Sequence, residues 1–403
     1  MNKKNKKIIY KILEIAPFIA ALAFLLCIPT LAILGQINEK VYHLIYKSAA
    51  PLHGEHTAAP RPNLSLSHFF SKKAQQNVEA WFNQGIPLKS YIVRTHNQIY
   101  YELFSKSYMN KNTVLIGTDD YLYEKYFIEA YCNPSNKQFK NEDLEKWVDN
   151  LQQISDFFEK RGKQFIYLIS PSKASYFPEF LPPAYACNAV PTRPNYYLAV
   201  NELKKKDFSF VDSSELLLAA KESHPPIGFP QGGSHWTHFG AALVLQEILN
   251  KLKYKEGVPP PTIHFTYTID NRPKGTDRDL LELANLLDVR RKYPVPVLAI
   301  TNVNVNSQNA AKKLAIVGTS FIHTIGDILQ QQKLFSQVDF YYYYSITHYR
   351  IIDGNKETLE ATLPNTYDSL WAADIVILEE TEPNIGKMMA HAEKFLKAIK
   401  EKN

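Results

Sequence analysis

The strongest constraint on this chain is a recurring unit: a stretch with helical apolar spacing, a breaker, then a short uninterrupted apolar run. Between Glu142 and Arg161, Leu144, Trp147, Val148, Leu151, Ile154, Phe157 and Phe158 fall on one helical face. Gly162 follows as a helix stop, and Phe165-Ile-Tyr-Leu-Ile169 is apolar throughout. A run that short with no polar alternation suits a strand covered on both sides. The unit returns. Tyr196 to Lys205 feeds Phe208-Ser-Phe-Val211, and Phe239 to Leu252 forms another apolar-faced helix. Leu314-Ala-Ile-Val317 precedes a helical stretch from Phe321 to Gln332, and Ala373-Asp-Ile-Val-Ile-Leu378 precedes one near Ile385 to Lys400. This rhythm predicts an α/β fold with a mostly parallel sheet and helices on both faces. With 45% hydrophobic residues among 403, a full core can be built.

The N-terminal end reads differently. From Ile15 to Gly35 there is no charged residue, and a helix of that length spans roughly 30 Å, the thickness of a bilayer's hydrocarbon. Lys3, Lys4, Lys6, Lys7 and Lys11 precede it, so the positive-inside rule predicts a cytoplasmic segment 1–14, a single transmembrane anchor 15–35, and the rest of the chain on the far side. A cleaved signal peptide is the competing reading, although Gly35-Gln-Ile-Asn38 offers no convincing cleavage site. Residues 36–67, rich in Pro, His and small residues after Ser48, read as a stem, and 68–403 as the folded domain. The formal charge of +6 falls largely in the first fourteen residues, which carry +4. The remaining +2 is too little for a nucleic-acid footprint.

With Cys27 in the apolar run, Cys132 and Cys187 are the pair available to oxidise outside the cytoplasm, and a disulfide between them is expected; two unrelated buried thiols are the alternative. No Cys-x-x-Cys or Cys/His cluster suggests a metal, and no cofactor is implied.

In open α/β sheets, sites form beyond the carboxyl ends of strands. Gly318-Thr319-Ser320-Phe321 directly follows an apolar run and opens a helix. A serine hydroxyl there sits among free backbone N–H groups that can stabilise an oxyanion, or else Ser320 or Thr319 caps the helix. Gly232-Gly-Ser-His235-Trp-Thr-His-Phe-Gly240 is a Gly-rich loop leading into another helix. A neutral imidazole at His235, near a serine, can take its proton and return it to a leaving group. Thr237 and Ser234 are candidate caps in that loop. The Tyr341-Tyr-Tyr-Tyr344 run reads as a partly buried strand, since alternate residues face opposite sides.

Together these segments resemble the alginate O-acetyltransferase family of exported, SGNH-hydrolase-like polysaccharide acetyltransferases. The resemblance rests on an ordered set of blocks between about 68 and 400. They are Val114-Leu-Ile-Gly-Thr-Asp-Asp-Tyr-Leu-Tyr123, Glu129-Ala-Tyr-Cys132, Ser170-Pro-Ser-Lys173 with Tyr176-Phe-Pro-Glu179, His235-Trp236 with Gly240-Ala241, Asp279-Leu280, Gly318-Thr-Ser-Phe321, and Asp374-Ile-Val-Ile-Leu-Glu379 with Asn384-Ile385. It implies Ser320 as nucleophile, His235 as general base, and Gly318 and Thr319 as oxyanion donors or support. The family's Asp two residues before this His is Gly233 here, so either another acid substitutes, or the chain is a weak or inactive catalyst. Trp236 and Lys173 are candidates for binding substrate. The implied function is a membrane-anchored enzyme, in the periplasm or outside, that moves acetyl groups to a polysaccharide and receives them through a membrane-bound O-acyltransferase. A non-catalytic adaptor or glycan-binding subunit, and a carbohydrate esterase, are the alternatives.

Overall fold

A computed structural model describes residues 88–105, 113–132, 140–185, 193–223, 228–287, 291–342, 347–359, 368–385 and 389–402, with 15–19, 22–23, 26–27, 30, 40, 52–53, 76–77 and 79 before them. Most of the expected anchor, and Cys187, lie outside these. Among the described residues no helix is long and apolar enough to cross a membrane. The chain divides into two compact units, residues 1–105 with 282–289, and residues 106–281 with 290–403.

In the first unit, α1 (Lys89–Phe104) buries Asn97 and Tyr101. The Asn97 side-chain amide donates to the Ala284 carbonyl at 3.0 Å, and Asn285 exchanges hydrogen bonds with the His53 backbone at 2.8 and 3.0 Å. These polar ties hold a helix that buries little of its apolar surface: Ile99, Leu103 and Phe104 are exposed.

The second unit begins with a small hairpin, β1 (Val114–Ile116) and β2 (Leu122–Glu124), joined through Asp119 and Asp120 at positive φ, a conformation short acidic side chains tolerate. Next come α2 (Lys125–Cys132), α3 (Asn141–Glu159), β3 (Gln164–Ser170), α4 (Lys173–Tyr176), α5 (Pro194–Leu203), β4 (Ser209–Asp212), α6 (Ser213–Ser223) and α7 (His238–Lys251). A long hairpin follows, β5 (Thr262–Asp270) and β6 (Val295–Asn304), whose connection contains α8 (Asp279–Leu283). The chain ends with β7 (Lys313–Gly318), α9 (Ile322–Gln332), β8 (Gln337–Tyr342), β9 (Thr347–Ile352), β10 (Asn355–Leu359), α10 (Asp368–Ala372), β11 (Ile375–Thr381) and α11 (Met389–Lys402).

One seven-stranded sheet organises the unit, in the order β10-β9-β8-β7-β11-β3-β4. From β8 to β4 every pairing is parallel, but β9 and β10 run antiparallel at one edge. The sheet is therefore mixed: four of its six pairings are parallel, in keeping with the mostly parallel sheet expected, and the two at one edge are antiparallel. The sheet's pleat explains the two-sided cover. Ile166, Leu168, Leu314, Ile316, Ile375 and Ile377 pack with α7 and α9. Their neighbours Phe165, Tyr167, Ile169, Ala315, Val317, Val376 and Leu378 pack on the other side with α3, α5 and α11. Gly162 stops α3 in the left-handed conformation, at φ 70°.

Candidate active site

Strand β7 and helix α9 meet in a tight turn, and its shape follows from Gly318. A Cβ there would stand 2.6 Å from Glu379 Oε2 and 2.8 Å from an Ile322 methyl carbon, so glycine lets β11 and α9 approach. The Thr319 N–H donates to Glu379 Oε2 at 2.6 Å, and its hydroxyl to Oε1 at 3.2 Å. Thr319 is thus a support of the turn; its N–H is already taken and does not serve as an oxyanion donor. The Phe321 N–H donates weakly to Thr319 Oγ1 at 3.4 Å, which leaves the Ser320 hydroxyl free of any capping duty. Its own N–H has no hydrogen-bond partner among the described residues.

The histidine loop precedes α7, where Thr237 is the helix cap and accepts from the Gly240 N–H at 3.1 Å. His235 reaches out of that loop. Its Nε2 lies 2.7 Å from Ser320 Oγ, and its Nδ1 lies 2.5 Å from Asp279 Oδ2. The other Asp279 oxygen accepts the Ser234 N–H at 2.8 Å, so one carboxylate fixes both the loop and the ring. The Ser234 hydroxyl donates to Glu124 Oε1 at 2.5 Å, and the Phe321 ring lies against the imidazole with 5.1 Å between centroids.

Gly233 is packed too closely for any side chain: a Cβ would meet the Thr276 carbonyl oxygen at 2.2 Å. The segment leading into α8 occupies the space that an Asp at position 233 would need, and the same segment delivers Asp279. The missing acid and the substitute acid are two sides of one packing arrangement.

The other expected positions separate. Trp236 is 0% exposed and packs edge-on against Phe321 at 5.1 Å, so it belongs to the core and offers no stacking face to a sugar. Lys173 is 1% exposed, with its ammonium held by backbone carbonyls, so it too is withdrawn from substrate. His238 is directed to Asp327 at 3.3 Å and not to Ser320. Tyr341 is buried and hydrogen-bonded to Ser369. Cys132 is disulfide-bonded and Cys27 is free. No group of His, Cys, Asp and Glu suited to a metal is present among the described residues.

Charge at the site is concentrated on His235. Burial pulls its pKa down, but the hydrogen bond to Asp279 and the charges of Asp279, Glu124 and Glu379 outweigh burial and raise it above the ordinary imidazole value. Burial pushes up the carboxyls of Glu124 and Glu379. The result is a hydroxyl, an imidazole and a carboxylate linked in series, with Ser320 partly exposed at the end of β7. Such a relay can move a proton off the hydroxyl as oxygen attacks a carbonyl.

Residues 114–332 match the family model described as SGNH hydrolase-like domain, acetyltransferase AlgX. No curated protein sequence matches the chain. Similar solved structures include the O-acetyltransferase domain of Pseudomonas putida AlgJ, at 14% identity and TM-score 0.42, covering 70% of this chain and 98% of that one. Pseudomonas aeruginosa AlgX is similar at 15% identity and TM-score 0.41, covering 66% of this chain and 61% of that one. Bacillus cereus PatB1 is similar at 15% identity and TM-score 0.38, covering 68% and 96%.

Proposed function

Because the chain belongs to the SGNH hydrolase-like AlgX acetyltransferase family, we propose that it is a polysaccharide O-acetyltransferase working through a serine acetyl-enzyme. The observation that carries this reading is the unbroken series Ser320 Oγ, His235 Nε2, His235 Nδ1 and Asp279 Oδ2. Gly233 is the argument for a non-catalytic adaptor, and the carboxylate of Asp279 on His235 Nδ1 supports the enzyme reading against it.

In the first half-reaction Ser320 Oγ attacks the carbonyl carbon of an acetyl ester while His235 Nε2 takes the hydroxyl proton. Negative charge gathers on the carbonyl oxygen, within reach of the Ser320 N–H. The bond to the donor's oxygen breaks, and the imidazolium returns its proton to that oxygen. In the second half a sugar hydroxyl gives its proton to His235 and attacks the acetyl carbon. Ser320 Oγ then leaves and is reprotonated. Asp279 stabilises the imidazolium in both halves and keeps Nε2 facing the serine. The donor is proposed to reach the site from a membrane-bound O-acyltransferase, with this chain anchored by residues 15–35 on the far side of the membrane.

Purified protein incubated with p-nitrophenyl acetate is expected to release nitrophenol, to carry acetyl on Ser320 by peptide mass analysis, and to pass it to a glycan. The Ser320→Ala protein should lose at least about 10³-fold in rate while keeping its melting temperature. A folded Ser320→Ala protein that still transfers acetyl rejects the proposal; hydrolysis with no transfer to any glycan favours an esterase.

A further inference from the structure

Lys173 is placed against its chemistry: a lysine at 1% exposure, just beyond the carboxyl end of β3, with no solvent to hydrate its charge. Its Nζ lies 2.7 Å from the Leu122 carbonyl, 2.7 Å from that of Gln231 and 2.9 Å from that of Gly233. A neutral amine has two N–H donors and an ammonium has three, so three carbonyl acceptors match the charged form. Burial pushes its pKa well below the usual lysine value and the charge of Asp279 pulls it back. The geometry is the firmer guide, because three carbonyl oxygens converge on Nζ within 2.9 Å and a neutral amine would have to turn its lone pair toward one of them.

The three carbonyls are not scattered. Gln231 and Gly233 belong to the loop that ends in His235, and Leu122 belongs to β2, whose N–H already donates to the Gln231 carbonyl at 2.9 Å. Two residues along β2, Glu124 holds the Ser234 hydroxyl. The groups facing Lys173 and the imidazole are Asp279 from α8, Glu124 from β2, Glu379 from β11, His323 from α9, and the rings of Tyr121 and Tyr123, whose centroids lie 5.4 and 5.2 Å from Nζ. Carboxylates predominate around His235, and Lys173 holds two carbonyls of the loop that carries it.

We propose that Lys173 is a positioning residue of this site: its buried ammonium ties the Gln231 and Gly233 carbonyls to β2, fixes His235 against Ser320, and offsets the carboxylates around the imidazole. The inference rests on the acyl-transfer reading for its kinetic consequence but not for its electrostatic one, and the two can be measured apart.

In Lys173→Met the stem stays and the charge and donors go. With p-nitrophenyl acetate, kcat is expected to fall roughly ten- to a hundred-fold from a small displacement of His235. Losing a nearby cation favours the imidazolium, so the acidic limb of kcat/KM should move to higher pH. The ring of His235, followed by NMR titration of histidine-labelled protein, should shift the same way whether or not the protein turns over ester. If the wild type is inactive but this titration moves, the acyl-transfer reading fails and the positioning role stands. A folded Lys173→Met protein with unchanged titration and unchanged pH profile overturns the role. Should that variant not fold, the ¹⁵N signal of the Lys173 side chain in the wild type decides: an ammonium at pH 7 supports the proposal, and a neutral amine sinks it.

Discussion

At His235, burial and three carboxylates compete for one proton, and the carboxylates prevail. That balance fixes the sign of a pH profile. The imidazolium cannot accept the Ser320 proton, so kcat/KM should climb as pH rises through the raised pKa of His235, with its acidic limb above the ordinary imidazole value of 6.5. Asp279→Asn removes both the hydrogen-bond acceptor and the charge at Nδ1, the largest of the raising effects. The limb should move to lower pH, and the plateau rate should fall about 10³–10⁴-fold because an amide no longer selects the tautomer that presents a free Nε2. Stopped assays of ester turnover across pH 5–9 would show both. A limb that stays in place would mean that Asp279 does not govern the proton on this ring.

The strand–turn–helix element built from β7 and α9 acts as a unit, and Gly318 is its tightest point. In Gly318→Ala the added methyl meets Glu379 and Ile322 at 2.6–2.8 Å, both buried and unable to retreat. Overpacking of this kind costs about 1–3 kcal/mol and displaces Thr319 and Ser320 together. Urea unfolding should show the loss of stability, and the same preparation should lose ester turnover; a variant stable as wild type with full turnover would disprove the coupling. Elements of this kind are legible in a sequence. Leu314–Val317 and Phe165–Ile169 are buried on both faces, so their apolar runs announce them, and Gly162 marks where α3 stops. The β9–β10 edge is not legible in the same way. Asn355–Leu359 is largely exposed and polar, so no apolar run marks it, and the signal lies instead in Asp353-Gly354, an Asp-Gly pair with both residues at positive φ that closes a two-residue antiparallel hairpin. At the site, His235 and Ser320 are readable because each follows a glycine-bearing turn into a helix. Asp279 stands out only as one block of the resemblance and not as an acid: it lies in the β5–β6 connection, 44 residues from His235, and packing at Gly233 with the Ser234 N–H brings it in. Trp236 misleads because its sequence position beside a site histidine says nothing of which way its ring turns, and the ring packs into the core against Phe321. Lys173 misleads because the rule that lysines are exposed yields when three carbonyls converge.

Across the second unit as a whole, the carboxyl end of β11 places Glu379, Glu380 and Glu382 inside the protein, and this has a consequence for folding. Glu380 is 0% exposed, with Oε2 accepting from the Tyr167 hydroxyl at 2.7 Å. Burial, with the Glu379 charge beside it, pushes its pKa up to about 8 from an ordinary 4.5. Between those two values the folded protein holds a proton that the unfolded chain has released. Stability contributed by the protonated form is therefore fully present below about pH 4.5 and is lost as pH rises toward 8. Burial raises Glu124, Glu379 and Glu382 in the same direction, so the melting temperature of the wild type should decline from pH 5 to pH 8. Glu380→Gln keeps the shape and the acceptor for Tyr167 while removing the proton equilibrium. Its melting temperature should fall less over the same range, with the two curves converging at low pH, where Glu380 is protonated in both folded and unfolded chains. Calorimetry at pH 5, 6, 7 and 8 on both proteins makes the comparison; parallel curves would show that Glu380 is ionised in the folded state and that its charge is compensated by a neighbour.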